Sequence, residues 1–72
     1  MKKKELKIIE ENKGEFVPYI KRRLFGWKRL IPNSLPTVYA VMHFLSENID
    51  NNGNPLFSEA SLYNIKTEFF NN

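Results

Sequence analysis

Cysteine is absent from this chain, and histidine occurs once, at His43. Without cysteine no disulfide can staple the fold, and a lone histidine cannot build a structural zinc site, which draws almost wholly on Cys and His ligands. Glycine is scarce as well: Gly14, Gly26 and Gly53 stand too far apart to form a phosphate-cradling loop. No serine sits in a nucleophile-elbow setting, and no triad constellation surrounds His43. Glu47, one helical turn beyond His43, makes an ordinary surface pair with it, so the expectation is a protein that is not an enzyme and carries no cofactor.

Long apolar runs are also missing. The longest stretch free of formal charge, Leu30 to Ser46, is interrupted by Pro32, Asn33, Ser34 and Pro36, whereas a membrane span needs about 20 apolar residues. Lys2, Lys3 and Lys4 look like the start of a signal peptide, but Glu10 and Glu11 cut short the apolar run of roughly 7–15 residues that would have to come next. A soluble, cytoplasmic protein without a membrane partner is the expectation.

The most informative absence is that of acid. From Phe16 to Ser46 there is no Asp or Glu, while Lys21, Arg22, Arg23, Lys28 and Arg29 fall inside that window. The first 15 residues are nearly balanced, with five lysines against four glutamates, and residues 47–72 set Glu47, Asp50, Glu59 and Glu68 against Lys66 alone. A basic middle beside an acidic tail points to an anionic partner, or to the two parts facing each other.

The residues that are present must therefore do the folding. Seventy-two residues make one domain, of a size that buries only about 60% of its unfolded surface. A composition of 42% hydrophobic and 14% aromatic residues argues against disorder and for an economical apolar core, with a homodimer as the other way to gain burial.

Along the chain, Lys2 to Asn12 contains helix formers with Leu6 and Ile9 three apart and Gly14 as a stop, which predicts a short helix or frayed arm over 1–14. A single compact domain is expected over 15–72. Its first part, "IKRRLFGWKRLI", has two readings. As a helix it places Ile20, Leu24, Trp27 and Ile31 on one stripe, with Pro18 in its first turn and Pro32 at its end. As a hairpin it pairs strand formers from Phe16 to Ile20 with Trp27 onwards, around a Leu24-Phe25-Gly26 loop. That register sets Arg22 opposite Lys28 and Lys21 opposite Arg29, which is unfavourable; the helix in turn must carry Gly26, at about 1 kcal/mol relative to Ala. The segment resembles short phage-type proteins in which a basic, aromatic strand pair containing "FGW" precedes a helix, and that resemblance favours the hairpin.

Leu35, Val38, Met42, Leu45 and Ile49 recur at helical spacing and predict a central amphipathic helix from Ser34 to Asp50 with Ser34 as N-cap. Phe44 points away from that stripe. Asp50-Asn51-Asn52-Gly53 is a turn. It starts like a calcium loop, but Pro55 and Ser61 stand where such a loop needs Gly and a bidentate Glu, so no metal is expected. Ser58 then caps a C-terminal helix with Leu62, Ile65 and Phe69 inward. The run "TVYAVMHFLSENIDNNGNPLFSEASLYNIK" is similar in rhythm to the helix, turn and Ser-led helix of replication-initiator winged helices, without their separate recognition helix.

The resulting expectation is a small α+β domain: a basic β-hairpin, a central helix and a C-terminal helix, with an all-α, helix-turn-helix-like fold as rival. Its function is expected to be non-catalytic interaction, of the kind encoded by phages and mobile elements. An acidic protein surface would be held through Tyr19, Lys21, Arg22, Arg23, Phe25, Lys28, Arg29 and Phe44. Nucleic acid is the alternative partner: Lys and Arg would neutralise phosphates while Tyr19, Phe25 or Trp27 stacks on bases. A structural subunit of an assembly is the third reading.

Overall fold

Leu6 and Ile8 are buried two residues apart, and that period of two rather than the helical spacing of Leu6 and Ile9 decides the first element. In the computed structural model, which describes residues 5–71, Leu6–Asn12 is strand β1. It pairs antiparallel with β2 (Glu15–Arg22), which in turn pairs antiparallel with β3 (Gly26–Arg29). The short helix or arm expected at the N-terminus is thus corrected to a strand within the sheet; its Lys2, Lys3 and Lys4 lie outside the described residues. Its apolar stripe is too thin to sustain a helix, and the tight turn to Phe16–Ile20 supplies a strand partner instead. Gly14, with φ of +78°, closes that turn.

The expected hairpin over 16–31 is matched in part: β2 pairs with β3 only as far as Arg29, and in a different register. Arg22 faces Gly26, Lys21 faces Trp27, Ile20 faces Lys28 and Tyr19 faces Arg29. No two cations stand directly opposite each other, so the like-charge penalty of the expected register is avoided. The loop is Arg23-Leu24-Phe25, and Gly26 closes it at φ of +72°, a conformation unfavourable for residues with a Cβ.

Two prolines redirect the chain between β3 and the central helix. Pro18 lies fully buried in β2, where it has no N–H to give. Leu30 donates to the Pro18 carbonyl at 3.0 Å, but Pro18 cannot return the bond, and β3 ends at Arg29. The chain loops out and returns at Leu35, which exchanges both backbone hydrogen bonds with Phe16 at 2.7 and 2.8 Å. That pairing holds Leu35 extended, as does Pro36 after it. Helix α1 accordingly runs over Val38–Glu47 instead of from Ser34 to Asp50, capped by Thr37, whose side chain accepts from the Ala40 N–H. Val41 and Leu45 are its buried residues, whereas Ile49 lies beyond the helix and is 59% exposed.

The expected C-terminal helix is corrected too. Ser58 caps it as anticipated, but α2 spans only Glu59–Tyr63 and stops at Asn64. Lys66–Glu68 forms β4, parallel to β1, so Ile65 and Phe69 flank a strand. The inward spacing of Leu62, Ile65 and Phe69 suits a helix, yet the free edge of β1 offers those backbone groups a ladder that a frayed helix end does not.

The sheet order is β3-β2-β1-β4, with the core on one face. Leu6, Ile8 and Phe16 from the sheet meet Val41 and Leu45 from α1 and Phe57 from the loop before α2. The architecture is therefore α+β, and the all-helical rival is excluded by the four strands. Glu10 ties the far end together: its carboxylate accepts from the Gly14 N–H at 2.8 Å and the Phe70 N–H at 2.9 Å. These two bonds, Gly14 first, with a smaller contribution from Lys13, hold its pKa below the ordinary value.

Stability should track this packing. Leu45→Ala should destabilise by about 2–5 kcal/mol in chemical denaturation, because Leu45 is 1% exposed within the core. His43→Ala, on the exposed face of α1, should cost far less. A depressed carboxylate pKa contributes stability that is complete above the ordinary Glu value and is lost as pH falls through the lowered one. An acid titration of stability should therefore show a limb below the ordinary Glu range that is flattened in Glu10→Ala.

Candidate basic-aromatic hairpin

The strand alternation sorts the basic segment onto two faces. Tyr19, Lys21, Trp27 and Arg29 share the helix-free face with Lys7 and Ile9, while Ile20, Arg22 and Lys28 point to the other side. Lys21 donates its N–H to the carbonyl of Glu5, the first described residue, just before β1. Among the described residues the hairpin continues past Lys21 as a two-stranded ribbon, and the molecule is elongated, 40 Å by 26 Å by 22 Å. Every residue from Lys21 to Arg29 is exposed. Leu24 and Phe25 at the tip are 80% and 77% exposed, in an element too narrow to fold over them.

At the base of the ribbon the polar groups are already engaged. Arg29 donates Nη1 to the Glu11 carboxylate at 2.8 Å, Nε to the Ile31 carbonyl at 2.8 Å and Nη2 to the Pro32 carbonyl at 3.1 Å. Tyr19 donates its hydroxyl to the other Glu11 oxygen. That hydrogen bond, aided by partial burial and the Glu11 charge and opposed by Arg29, raises the Tyr19 pKa above its usual value. Val17 lies outside the core cluster yet is fully buried, on the face that carries Tyr19 and Arg29. Trp27 is not a core anchor: it is 37% exposed, with the Lys7 Nζ 4.4 Å from the ring centroid. Lys7 also pairs with Glu68 at 3.0 Å, so a polar row crosses from β3 to β4.

The residues expected to meet a partner fall into three groups. Lys21, Arg22, Arg23, Phe25 and Lys28 are brought together on the ribbon, and none of these four cations has an acidic partner among the described residues. Tyr19 and Arg29 sit at its base, bound to Glu11. Phe44 belongs elsewhere: it lines a shallow concavity on α1 with Leu35, Ala40, His43, Glu47 and Asn48. His43 stacks on Tyr39 and pairs with Glu47, a surface arrangement. Leu24 was not anticipated as a contact residue, because a leucine inside a basic run reads first as part of an apolar stripe. Its position at the centre of a three-residue loop is the signal that identifies it.

A second concavity of about 550 Å³ opens beside Trp27, lined by Leu6, Lys7, Ser61, Asn64, Lys66 and Glu68 among others. Its charges are mixed and partly self-paired. Among the described residues there is no group of three or more His, Asp or Glu that could hold a metal, and no helix long and apolar enough to cross a membrane. Comparison with family models, with curated proteins and with solved structures gave no match.

The Tyr19–Glu11 contact is directly measurable. In an ultraviolet difference titration Tyr19 should ionise above the ordinary tyrosine range. Glu11→Gln should bring that ionisation down, since it removes the negative charge that the phenolate would have to face. A raised pKa adds stability that is present below the ordinary tyrosine value and lost as pH rises through the folded value.

Proposed function

We propose that the protein is a non-catalytic interaction module that docks its β2–β3 ribbon on an acidic surface of a larger protein. One observation carries the reading. Four cations without counter-charges among the described residues flank a loop whose Leu24 and Phe25 are almost wholly exposed. Exposed cations steer encounter with an acidic surface and fix orientation, and two apolar side chains at the tip supply the desolvated contact that charge does not. An apolar tip of this kind costs solubility unless something covers it.

Nucleic acid is the second reading, favoured by the same cations. Against it stands the state of the aromatics. Stacking on bases needs free rings, and Lys7 occupies one face of Trp27 while Tyr19 is hydrogen-bonded to Glu11. The free ring is that of Phe25, at the tip, where a single base could stack.

Affinity capture from lysate, with and without nuclease, separates the two. One protein should be retained after nuclease, and both Lys21→Glu/Lys28→Glu and Phe25→Ser should release it. Duplex DNA of random sequence should bind only weakly at physiological salt. Tight binding to such DNA, falling steeply with salt at close to one log unit per phosphate neutralised and abolished by the same reversal, would move the assignment to nucleic acid.

A further inference from the structure

The ribbon has an unfilled side as well as an exposed tip. β3 is the last strand of the sheet order, so its outer edge meets no other strand among the described residues. The ladder fixes which of its backbone groups point outward. Leu30 donates to Pro18, so by antiparallel alternation Leu30, Lys28 and Gly26 direct their N–H and C=O groups at β2. Trp27 and Arg29 direct theirs away from it. Neither has a backbone hydrogen bond beyond the sheet among the described residues. An edge of this kind is a template for an added strand.

The edge also selects against one kind of strand. A second copy pairing antiparallel along β3 with Lys28 opposite Lys28 would bring like charges together across the strand pair, and in any register it would add the cations of a second ribbon to those of the first. An acidic strand meets the opposite condition. Side chains opposite Gly26 and Lys28 lie on the face that carries Arg22 and Lys28. Gly26 has no side chain, and nothing lies within 4 Å of where one would begin, so a carboxylate opposite it has an open lane to Arg22. The intervening residue lies on the other face, beside Trp27.

We infer that β3 is a strand-addition site for an extended acidic segment of the protein partner. That segment has acidic residues at alternate positions facing Gly26 and Lys28, and an apolar residue between them beside Trp27. Main-chain bonds to Trp27 and Arg29 provide the affinity common to such additions, and the alternate acids provide selectivity. This deepens the proposed docking function and rests on it.

The test uses the full chain and a short synthetic peptide with Glu at every second position and Val or Thr between. Amide hydrogen exchange is measured by NMR. On adding the peptide, exchange at Trp27 and Arg29 should slow several-fold while that at Lys28, already bonded to β2, stays unchanged. A peptide N-methylated at alternate amides should lose this protection, and one with Lys in place of Glu should not bind. Shifts at Lys21, Arg22 and Arg23 without slowed exchange at Trp27 and Arg29 would overturn strand addition and leave the acidic-surface reading standing. Failure of the acidic peptide to bind at all would overturn both. Slowed exchange at Trp27 and Arg29 in the chain alone, rising with its concentration, would overturn the inference by assigning the edge to a second copy.

Discussion

The placement of the ribbon depends on one side chain. Arg29 stands at the end of β3, and its guanidinium reaches β1 through Glu11 and the departing chain through the carbonyls of Ile31 and Pro32. Past Arg29 the ladder is reduced to one bond, from the Leu30 N–H to the Pro18 carbonyl, because Pro18 cannot return it. The guanidinium fork, with three donors at fixed angles, takes over where the ladder stops. Tyr19 on the same carboxylate makes the junction three-membered.

That junction divides the basic residues by role. Arg29 and Lys7 are held by Glu11 and Glu68, on the side of the sheet away from the core. Lys21, Arg22, Arg23 and Lys28 lie on the tip side of Arg29, and Arg22 and Arg23 have no β1 partner among the described residues. A net charge of +3 would say little about function if it were spread evenly. Concentrated on a ribbon with an apolar tip and an edge unpaired among the described residues, it supports the proposed docking role, in which a base held by Arg29 and Glu11 would limit the ordering entropy lost.

Much of this is legible in the sequence, and the failures have physical causes. The hairpin is readable from strand formers around a Gly loop, but its register is set by Gly26 closing the loop instead of lying within it, which no periodicity reports. Leu45 is readable as core; Val41, its more deeply buried neighbour, is hidden because the stripe starts from Leu35, which Pro36 and Phe16 draw into an extended bridge. β1 and β4 escape for a common reason. Each is short, and each is a strand only because the other elements provide a partner, which is a tertiary fact that local pattern does not contain. At the candidate site, the four cations without an acidic partner among the described residues, and Phe25, emerge from the acid-free window. The occupation of Tyr19 and Arg29 depends on Glu11, many residues away in sequence, and lies beyond the reach of local pattern.

The central claim is that the cations of this segment serve two different purposes. It is tested most directly by the thermal midpoints of single Gln replacements of Arg22, Arg23 and Arg29, measured side by side in the absence of any partner. Arg29→Gln should lower the midpoint by several degrees, at about 4–8 °C for each kcal/mol lost in a domain of this size. Arg22→Gln and Arg23→Gln should leave it unchanged or raise it slightly, because they remove only like-charge repulsion. Equal loss in all three variants would contradict the account, since it would mean that the ribbon's cations stabilise the fold and are not held in reserve for a partner.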